Sequence, residues 1–250
     1  MGNPYFRFKQ FTVWHDRCAM KVGTDGVLLG AWAGQGCPEA FPGTILDIGT
    51  GSGLIALMLA QRFPAAQVTG IDPDTAAAAQ AAENFSASPW PQRLHSIHIS
   101  LQEFCRGTTI AGTAGGPIPR FDLIVSNPPF YDTSLTNPNP LRTTARHTGS
   151  LTHEELLLLS AGLLTPHGVF SLIVPSESEK SILRLAERSR LHLFRLTRVY
   201  TRASSGPRRI LASFGRYQIP HPVEDTLMLT DAEGARSPEH KALTQDFYLT

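Results

Sequence analysis

The chain has 250 residues, of which 42% are hydrophobic, and a formal net charge of +1 at pH 7, which allows one α/β domain or two small ones around a sizeable core. Its three cysteines (Cys18, Cys37 and Cys105) are far apart and form no C-x-x-C pair, which argues against a disulfide framework or a zinc site. This cysteine usage predicts a reducing, cytoplasmic compartment. The N-terminus has no apolar signal-type core, and no apolar run approaches the roughly 20 residues that span a membrane.

The N-terminal part predicts a small β-structure and a short helix. Residues 6–14 alternate aromatic and polar side chains, which is typical of a β-hairpin or an edge strand. In residues 21–32, Thr24 or Asp25 can cap a short helix that contains Val27, Leu28 and Trp32. A loop rich in Gly and Pro follows at residues 34–43.

From residue 44 onward, predicted strands alternate with predicted helices. The strands are expected at residues 44–48, 67–71, 94–101, 121–126 and 168–174, with two closing strands at 191–201 and 208–217. The helices are expected at residues 54–62, 75–85, 151–164 (N-cap Thr152, capping-box Glu155) and 176–189 (cap Ser176), and the tail is expected to add a strand and a short helix. This alternation predicts an α/β fold with a mostly parallel seven-stranded sheet, an antiparallel edge hairpin and helices on both faces.

A glycine turn connects the first predicted strand of this sheet to the helix that follows. Its sequence, D-I-G-T-G-S-G at residues 47–53, would need a glycine at 54 to fit the dinucleotide pattern, where the chain has Leu54. The turn therefore fits a non-phosphorylated adenosyl ligand better. Asp72, 19 residues beyond Gly53 at the end of the next strand, can accept hydrogen bonds from both ribose hydroxyls. The alternative is a structural βαβ turn beside a solvated aspartate.

The fourth predicted strand ends in Asn127, Pro128, Pro129 and Phe130. The two prolines cannot continue a strand, and Pro128 pushes Asn127 into an extended conformation. A planar amine can stack on Phe130 and donate to the Asn127 amide oxygen and the Pro128 carbonyl. The alternative is a Pro-rich turn. Since strand carboxyl ends share one edge of an open sheet, we expect this segment, the glycine turn and Asp72 to face one crevice.

Arginines are concentrated in the second half of the chain. Eight of them and no acid occur between Arg188 and Arg216, which is typical of phosphate binding, although a solvated basic face is the alternative. We expect nucleic-acid contacts at six residues: Arg142, Arg146, His147, Arg202, Arg208 and Arg209. A base that reaches Asn127 must leave its stack, which a loop nucleotide does most easily. No metal site is predicted.

The glycine turn, Asp72 and the N-P-P-F segment resemble the class I methyltransferases that use S-adenosylmethionine and act on planar amino nitrogens. Residues 21–30 (K-V-G-T-D-G-V-L-L-G), 45–57 and 126–131, followed by Arg146 and His147, are similar to a narrower bacterial family. That family methylates N6 of the adenosine at position 37, beside the anticodon of a valine tRNA. The resemblance covers nearly the whole chain and implies S-adenosylmethionine as cofactor and tRNA as substrate.

The resemblance also implies a role for each matching residue. Asp47 orders the turn and the cofactor's amino group, and Asp72 holds the ribose. Asn127 and Pro128 accept hydrogen bonds from the target amine, and Phe130 stacks on the base. Many members of the class have an adenine-contacting acid after the third strand, whereas here Leu101 and Gln102 are the candidates. The remaining cofactor contacts are expected at Gly49, Gly51, Gly53 and Asn127, and at Thr24, Asp25 and Gly26 over the methionine end.

We therefore expect three segments: an N-terminal hairpin and cofactor-covering helix (residues 1–43), a methyltransferase domain (44–217) and an extension packed on it (218–250). Two alternative activities are close, an rRNA guanine-N2 and a DNA adenine-N6 methyltransferase. A protein glutamine-N5 methyltransferase fits less well, because that class has a helical domain before the cofactor turn and only 46 residues precede Asp47. The intact motifs argue against a non-catalytic RNA-binding module.

Overall fold

A computed structural model describes residues 3–35, 43–107, 118–129, 151–202 and 204–249. The described helices are α1 (Thr24–Trp32), α2 (Leu54–Arg62), α3 (Thr75–Ser86), α4 (Leu101–Cys105), α5 (His153–Leu163), α6 (Glu179–Arg188) and α7 (Pro238–Thr244). The strands are β1 (Tyr5–Arg7), β2 (Thr12–Trp14), β3 (Thr44–Ile48), β4 (Gln67–Asp72), β5 (Leu94–His98), β6 (Phe121–Ser126), β7 (Leu164–Pro175), β8 (His192–Tyr200), β9 (Arg209–Gly215) and β10 (Val223–Met228). None of the described helices is long and apolar enough to cross a membrane.

Eight of the described strands form one sheet in the order β10-β8-β9-β7-β6-β3-β4-β5. Strand β9 runs antiparallel to β7 and β8, and the other described pairs in this sheet are parallel. The mostly parallel α/β sheet is confirmed, but the predicted count of seven strands is wrong. The additional strand is β10, which pairs with β8 and therefore places the β8–β9 hairpin inside the sheet instead of at its edge.

The central strands are apolar on both sides because helices cover both faces of the sheet. Ile45 of β3 and Leu123 of β6 pack in the cluster under α1 and α2. Leu46 and Ile124, one position further along each strand, pack in the opposite cluster with α4, α5 and α6. All four side chains are 0% exposed. This burial explains why the sequence shows continuous apolar runs, as parallel strands do.

Strands β1 and β2 form a separate antiparallel hairpin, as the alternating pattern predicts. The hairpin packs against the C-terminal segment, because the Lys9 backbone N–H donates to the Phe247 carbonyl at 2.8 Å. Phe8 is 1% exposed and stacks on Phe11, with ring centroids 4.8 Å apart. The two ends of the described chain therefore contact each other outside the main sheet.

The predicted helix caps had different outcomes. The capping box of α5 is confirmed, since Thr152 Oγ1 accepts from the Glu155 N–H at 3.1 Å and Glu155 Oε2 accepts from the Thr152 N–H at 3.0 Å. The cap predicted at Thr24 or Asp25 is wrong, because the N-cap of α1 is Gly23, without a side-chain hydrogen bond. The cap predicted at Ser176 is also wrong. Its hydroxyl donates to the Pro207 carbonyl at 2.6 Å, and α6 begins at Glu179.

Candidate active site

The carboxyl ends of β3, β4 and β6 lie side by side. In the register of the sheet, Ile48 is opposite both Ile71 and Ser126, and the Ser126 hydroxyl donates to the Ile48 carbonyl at 2.9 Å. The residue after each of these positions belongs to the predicted site: Gly49 follows Ile48, Asp72 follows Ile71 and Asn127 follows Ser126. The structure therefore places the glycine turn, Asp72 and Asn127 at adjacent positions on one edge of the sheet.

Backbone hydrogen bonds to the end of β4 hold the glycine turn. The N–H groups of Gly49 and Thr50 both donate to the Ile71 carbonyl, at 2.9 and 3.0 Å. The Gly51 N–H donates to Asp72 Oδ2 at 2.9 Å. The three glycines of the turn, at residues 49, 51 and 53, have φ of +72°, +55° and +80°, a conformation that L side chains rarely adopt.

The backbone of this turn borders open space. A Cβ atom built on Gly49 or Gly51 would have no heavy atom of the described structure within 4 Å. Packing among the described residues therefore does not explain why these two positions are glycine. Open space beside a glycine backbone is what close approach of a ligand needs, so the turn fits an adenosyl cofactor.

Asp47 supports the turn from inside. Its side chain is 0% exposed, and Oδ2 accepts from the Thr50 hydroxyl at 2.8 Å. The carboxyl also interacts with the Ala56 backbone in the first turn of α2, and Oδ1 has no hydrogen-bond partner among the described residues. Burial raises the pKa of Asp47 to about 7, although the interactions with Thr50 and Ala56 oppose this. The hydrogen bond to Thr50 supports the predicted role of Asp47 in ordering the turn, and its contact with the cofactor stays a prediction.

Asp72 is 8% exposed and already makes two backbone hydrogen bonds. Oδ2 accepts from Gly51, and Oδ1 accepts from the Asp74 N–H at 2.9 Å. Each carboxylate oxygen has two acceptor positions, so each retains one for a ribose hydroxyl. The sequence predicts the ligand contact but gives no sign that Asp72 also shapes the glycine turn.

Asn127 presents an unsatisfied acceptor at the end of β6. Its Oδ1 is buried and has no hydrogen-bond partner among the described residues. A buried acceptor without a partner costs on the order of 1–3 kcal/mol, so a donor supplied by a ligand would be strongly favoured here. Pro128 is buried and Pro129 exposed, while Phe130 lies outside the described residues.

The first turn of α1 lies against the start of α2. A Cβ on Gly26 would be 3.0 Å from Leu54 Cδ2, so these two helices approach closely beside the glycine turn. Asp25 accepts a hydrogen bond from Arg209 Nε at 2.8 Å. The carboxylate of Asp25 is therefore held by β9, a contact that the sequence does not predict.

The candidates after the third strand have other partners. Leu101 is 3% exposed and packs in the apolar cluster with Phe104 and Phe121. Hydrogen bonds from the backbone and side chain of Thr152, joined by a smaller one from the Gln102 side chain, lower the pKa of Glu155. The strand predicted to reach residue 101 ends at His98, because Ser100 caps α4. The Leu101 side chain therefore packs in the core, and the Gln102 side chain bonds to Glu155 of the α5 capping box.

The run of arginines is not free of acids in space. Acidic side chains from other parts of the chain form ion pairs with four of these arginines. The pairs are Arg188 with Glu154, Arg195 with Asp225, Arg198 with Glu179 and Glu224, and Arg209 with Asp25. Arg202 and Arg208 are exposed in the connection after β8, at the same edge of the sheet as Asn127. Arg142, Arg146 and His147 lie outside the described residues.

A mostly parallel sheet with a glycine turn after β3, an acid after β4 and Asn-Pro-Pro after β6 defines a class I methyltransferase that uses S-adenosylmethionine. The family model described as "Methyltransferase small domain" matches residues 35–187. A solved structure described as a predicted O-methyltransferase from Agrobacterium tumefaciens superposes with a TM-score of 0.68 over 89% of this chain and 96% of that one, at 18% identity. That likeness supports the fold.

Two curated relatives narrow the family. A Phocaeicola vulgatus protein named tRNA1(Val) (adenine(37)-N6)-methyltransferase is 46% identical over 100% of this chain and 99% of its own length. An Aeromonas hydrophila protein of the same name is 42% identical over 99% of this chain and 98% of its own length. The chain belongs to the tRNA1(Val) (adenine(37)-N6)-methyltransferase family.

Proposed function

We propose that this protein transfers the methyl group of S-adenosylmethionine to the exocyclic N6 of adenosine 37 in a valine tRNA. The observation that carries the proposal is the buried Oδ1 of Asn127 beside the glycine turn, which has no hydrogen-bond partner among the residues that the structure describes. An amide oxygen in that position matches an amine that has N–H groups to donate. The names of the full-length relatives support the choice of tRNA and of adenine over the rRNA, DNA and protein alternatives.

The chain's own groups would hold the cofactor at the turn. Gly49 and Gly51 give it access to the backbone, and Asp72 retains acceptor positions for its ribose. The first turn of α1, with Thr24, Asp25 and Gly26, closes the methionine end. Once bound, the cofactor supplies an electrophilic methyl group. Gly53, Leu101, Gln102 and Asn127 complete the proposed contacts.

The target amine is a poor nucleophile because its lone pair is delocalised into the adenine ring. Asn127 Oδ1 and the Pro128 carbonyl would accept hydrogen bonds from its two N–H groups, which favours a geometry in which the lone pair faces the methyl group. The nitrogen–carbon bond would form as the carbon–sulfur bond breaks, S-adenosylhomocysteine would leave, and the amine would lose one proton to solvent. Phe130 stacks on the base and holds its plane. Positioning and preorganised hydrogen bonds supply most of the rate enhancement in this proposal.

The tRNA lies across the same edge of the sheet in this proposal. Arg202 and Arg208 support it, because both are exposed next to the end of β8, where phosphates beside an extruded base would pass. Arg209, Arg142, Arg146 and His147 complete the proposed surface. We propose a methyltransferase domain at residues 44–217, to which the N-terminal segment (1–43) and the C-terminal segment (218–250) are additions. The proposed site of action is the cytoplasm, where tRNA is modified.

Methylation of unmodified valine tRNA, with the product mapped by mass spectrometry, tests the proposal. We expect one methyl group on N6 of adenosine 37. Asn127→Ala should lower kcat by about 10²–10³, the loss typical of one preorganised catalytic hydrogen bond, while S-adenosylhomocysteine still binds through the other proposed contacts. Ser171→Ala is the matched control, because it truncates a buried polar side chain on the neighbouring strand, opposite Val125. A methyl group on guanine or on protein, or an Asn127→Ala variant as active as the control, would refute the proposal.

A further inference from the structure

Asn84, near the end of α3, bridges two distant parts of the chain. It is 1% exposed. Its Oδ1 accepts from the Trp14 backbone N–H at 3.0 Å, and its Nδ2 donates to the Trp14 carbonyl at 2.8 Å. The same Nδ2 donates to the Ser52 carbonyl at 2.8 Å. One buried amide thus joins the edge strand of the N-terminal hairpin to the glycine turn.

The hairpin fixes the direction of this amide. Trp14 offers a donor and an acceptor, so the amide must place its oxygen and one N–H against them, and the second N–H then points to Ser52. The flipped amide would set its oxygen against two carbonyl oxygens. The Trp14 backbone of the docked hairpin and the Ser52 carbonyl of the glycine turn therefore fix the orientation of this amide together.

The next residue of α3 supports the next residue of the turn. A Cβ on Gly53 would be 2.4 Å from Phe85 Cε1, so the Phe85 ring lies directly against the glycine backbone. Asn84 and Phe85 hold Ser52 and Gly53 in this way. The glycine turn is therefore fixed by α3 as well as by the end of β4.

Further contacts attach the hairpin to the same face of α3. Arg17, three residues after β2, donates from Nε to Gln80 Oε1 at 3.3 Å and forms an ion pair with Glu83. Gln80, Glu83 and Asn84 are spaced i, i+3 and i+4, so they share one side of the helix. Beside Arg17, burial and the charges of Asp72 and Asp74 raise the pKa of Cys18 to about 11. The segment that leaves the hairpin thus lies near enough to Asp72 for the charge of that carboxylate to act on Cys18.

We propose that Asn84 is a positioning residue through which the docked N-terminal hairpin holds the glycine turn in its cofactor-binding shape. Binding of S-adenosylmethionine and docking of the hairpin then favour each other, because coupling between two sites is reciprocal. The proposal rests on the cofactor site proposed above. It assigns the hairpin a part in cofactor affinity, although no hairpin residue needs to touch the cofactor.

Calorimetric binding of S-adenosylhomocysteine tests this coupling. Asn84→Ala should raise the Kd about tenfold, which corresponds to about 1.4 kcal/mol, the net value of roughly one hydrogen bond. Arg93→Met is the control, because Arg93 binds carbonyls at the far end of α2 and its loss lowers stability without touching the turn. We expect its Kd to stay within about twofold of wild type. Equal affinities in both variants, measured well below their melting temperatures, would overturn the proposal.

Hydrogen exchange in the wild-type protein gives a second test that does not depend on a variant folding. Saturating S-adenosylhomocysteine should slow exchange of the Trp14 amide about tenfold, the reciprocal of the affinity change. The Leu229 amide, bonded to the Tyr200 carbonyl beyond the opposite end of the sheet, should change by less than about twofold. Unchanged Trp14 exchange with ligand bound would refute the coupling alone, whereas a wild-type protein that fails to bind the ligand would refute the cofactor site as well.

Discussion

Arg209 Nε donates to Asp25 Oδ2 at 2.8 Å, which joins two residues 184 positions apart in the chain. Arg209 is the first residue of β9, and Asp25 lies in the first turn of α1. Both side chains are about one-third exposed or less, at 30% and 25%. The pair therefore connects a residue predicted to contact the nucleic acid with one predicted to contact the cofactor.

Arg209 should affect the binding of both substrates, whereas its neighbour Arg208 should affect only the binding of tRNA. Arg209→Met leaves Asp25 without this ion pair, so we expect the KM for S-adenosylmethionine to rise about two- to fivefold, in line with about 0.5–1 kcal/mol for a partly exposed pair. Arg208→Met should instead raise the KM for tRNA and reduce the salt dependence of binding by about one phosphate contact. Steady-state kinetics at several salt concentrations measures both. The same effect on both substrates from both variants would contradict this division.

The buried carboxyl of Asp47 should make stability depend on pH. Its pKa is about 7 in the folded protein and 3.8 as the ordinary value. Between these values the folded state binds a proton that the unfolded state has lost, so the free energy of unfolding falls as the pH rises from about 4 to 7. The contribution of this group is complete below pH 4 and lost above pH 7.

Asp47→Asn isolates that contribution because an amide does not titrate. We expect the free energy of unfolding of this variant, relative to wild type, to increase between pH 5 and pH 8, by at most about 2–3 kcal/mol at about 1.4 kcal/mol for each pH unit. Urea unfolding of both proteins at the two pH values measures the difference. A difference between the proteins that stays constant, or declines, over this range would show that Asp47 is not protonated in the folded state near neutral pH.

Arg93 should be important for stability and not for ligand binding. Its guanidinium donates to three carbonyls, those of Ala60, Phe63 and Ala66, at 2.8, 3.1 and 2.9 Å. These groups lie in or just after the last turn of α2, where carbonyls have no partner within the helix. Arg93→Met should lower the free energy of unfolding by about 2–3 kcal/mol, measured by urea denaturation. Arg93→Lys should lose less, because an ammonium retains part of the hydrogen bonding.

The sequence predicts those features whose cause is local. The capping box of Thr152 and Glu155 needs only residues three apart, and the turn at residues 47–53 needs only glycines after an apolar strand. In the same way, the proline pair marks the end of β6. Because the carboxyl ends of parallel strands share one edge of a sheet, the glycine turn, Asp72 and the proline pair must lie on that edge. Much of the candidate site can therefore be predicted from the sequence.

Other features depend on contacts that no local pattern encodes. Asn84 is one polar residue in an Ala-rich helix, and nothing in its neighbourhood indicates that Trp14 and Ser52 meet there. The acids that pair with the arginines of β8 come from α6 and β10, so a run without acids in the sequence is misleading. The tail sequence predicts a strand where β10 lies, but no local pattern indicates that this strand pairs with β8.

Gly51 provides the most direct test of the cofactor turn. Its φ is +55°, and no described residue lies within 4 Å of its Cβ position, so alanine would cost only about 1–2 kcal/mol of backbone strain. The same Cβ would occupy the space where the cofactor approaches the backbone. We therefore expect Gly51→Ala to raise the Kd for S-adenosylhomocysteine at least about tenfold while the protein remains folded. Gly234→Ala is the matched control, because Gly234 has φ of +84° and none of the described residues lies within 4 Å of its Cβ position. Gly234 follows β10, at the opposite end of the sheet from β4 and β5. Its strain should be similar and its Kd unchanged, so an equal loss of affinity in both variants would assign the effect to general strain and would remove the turn from the cofactor site.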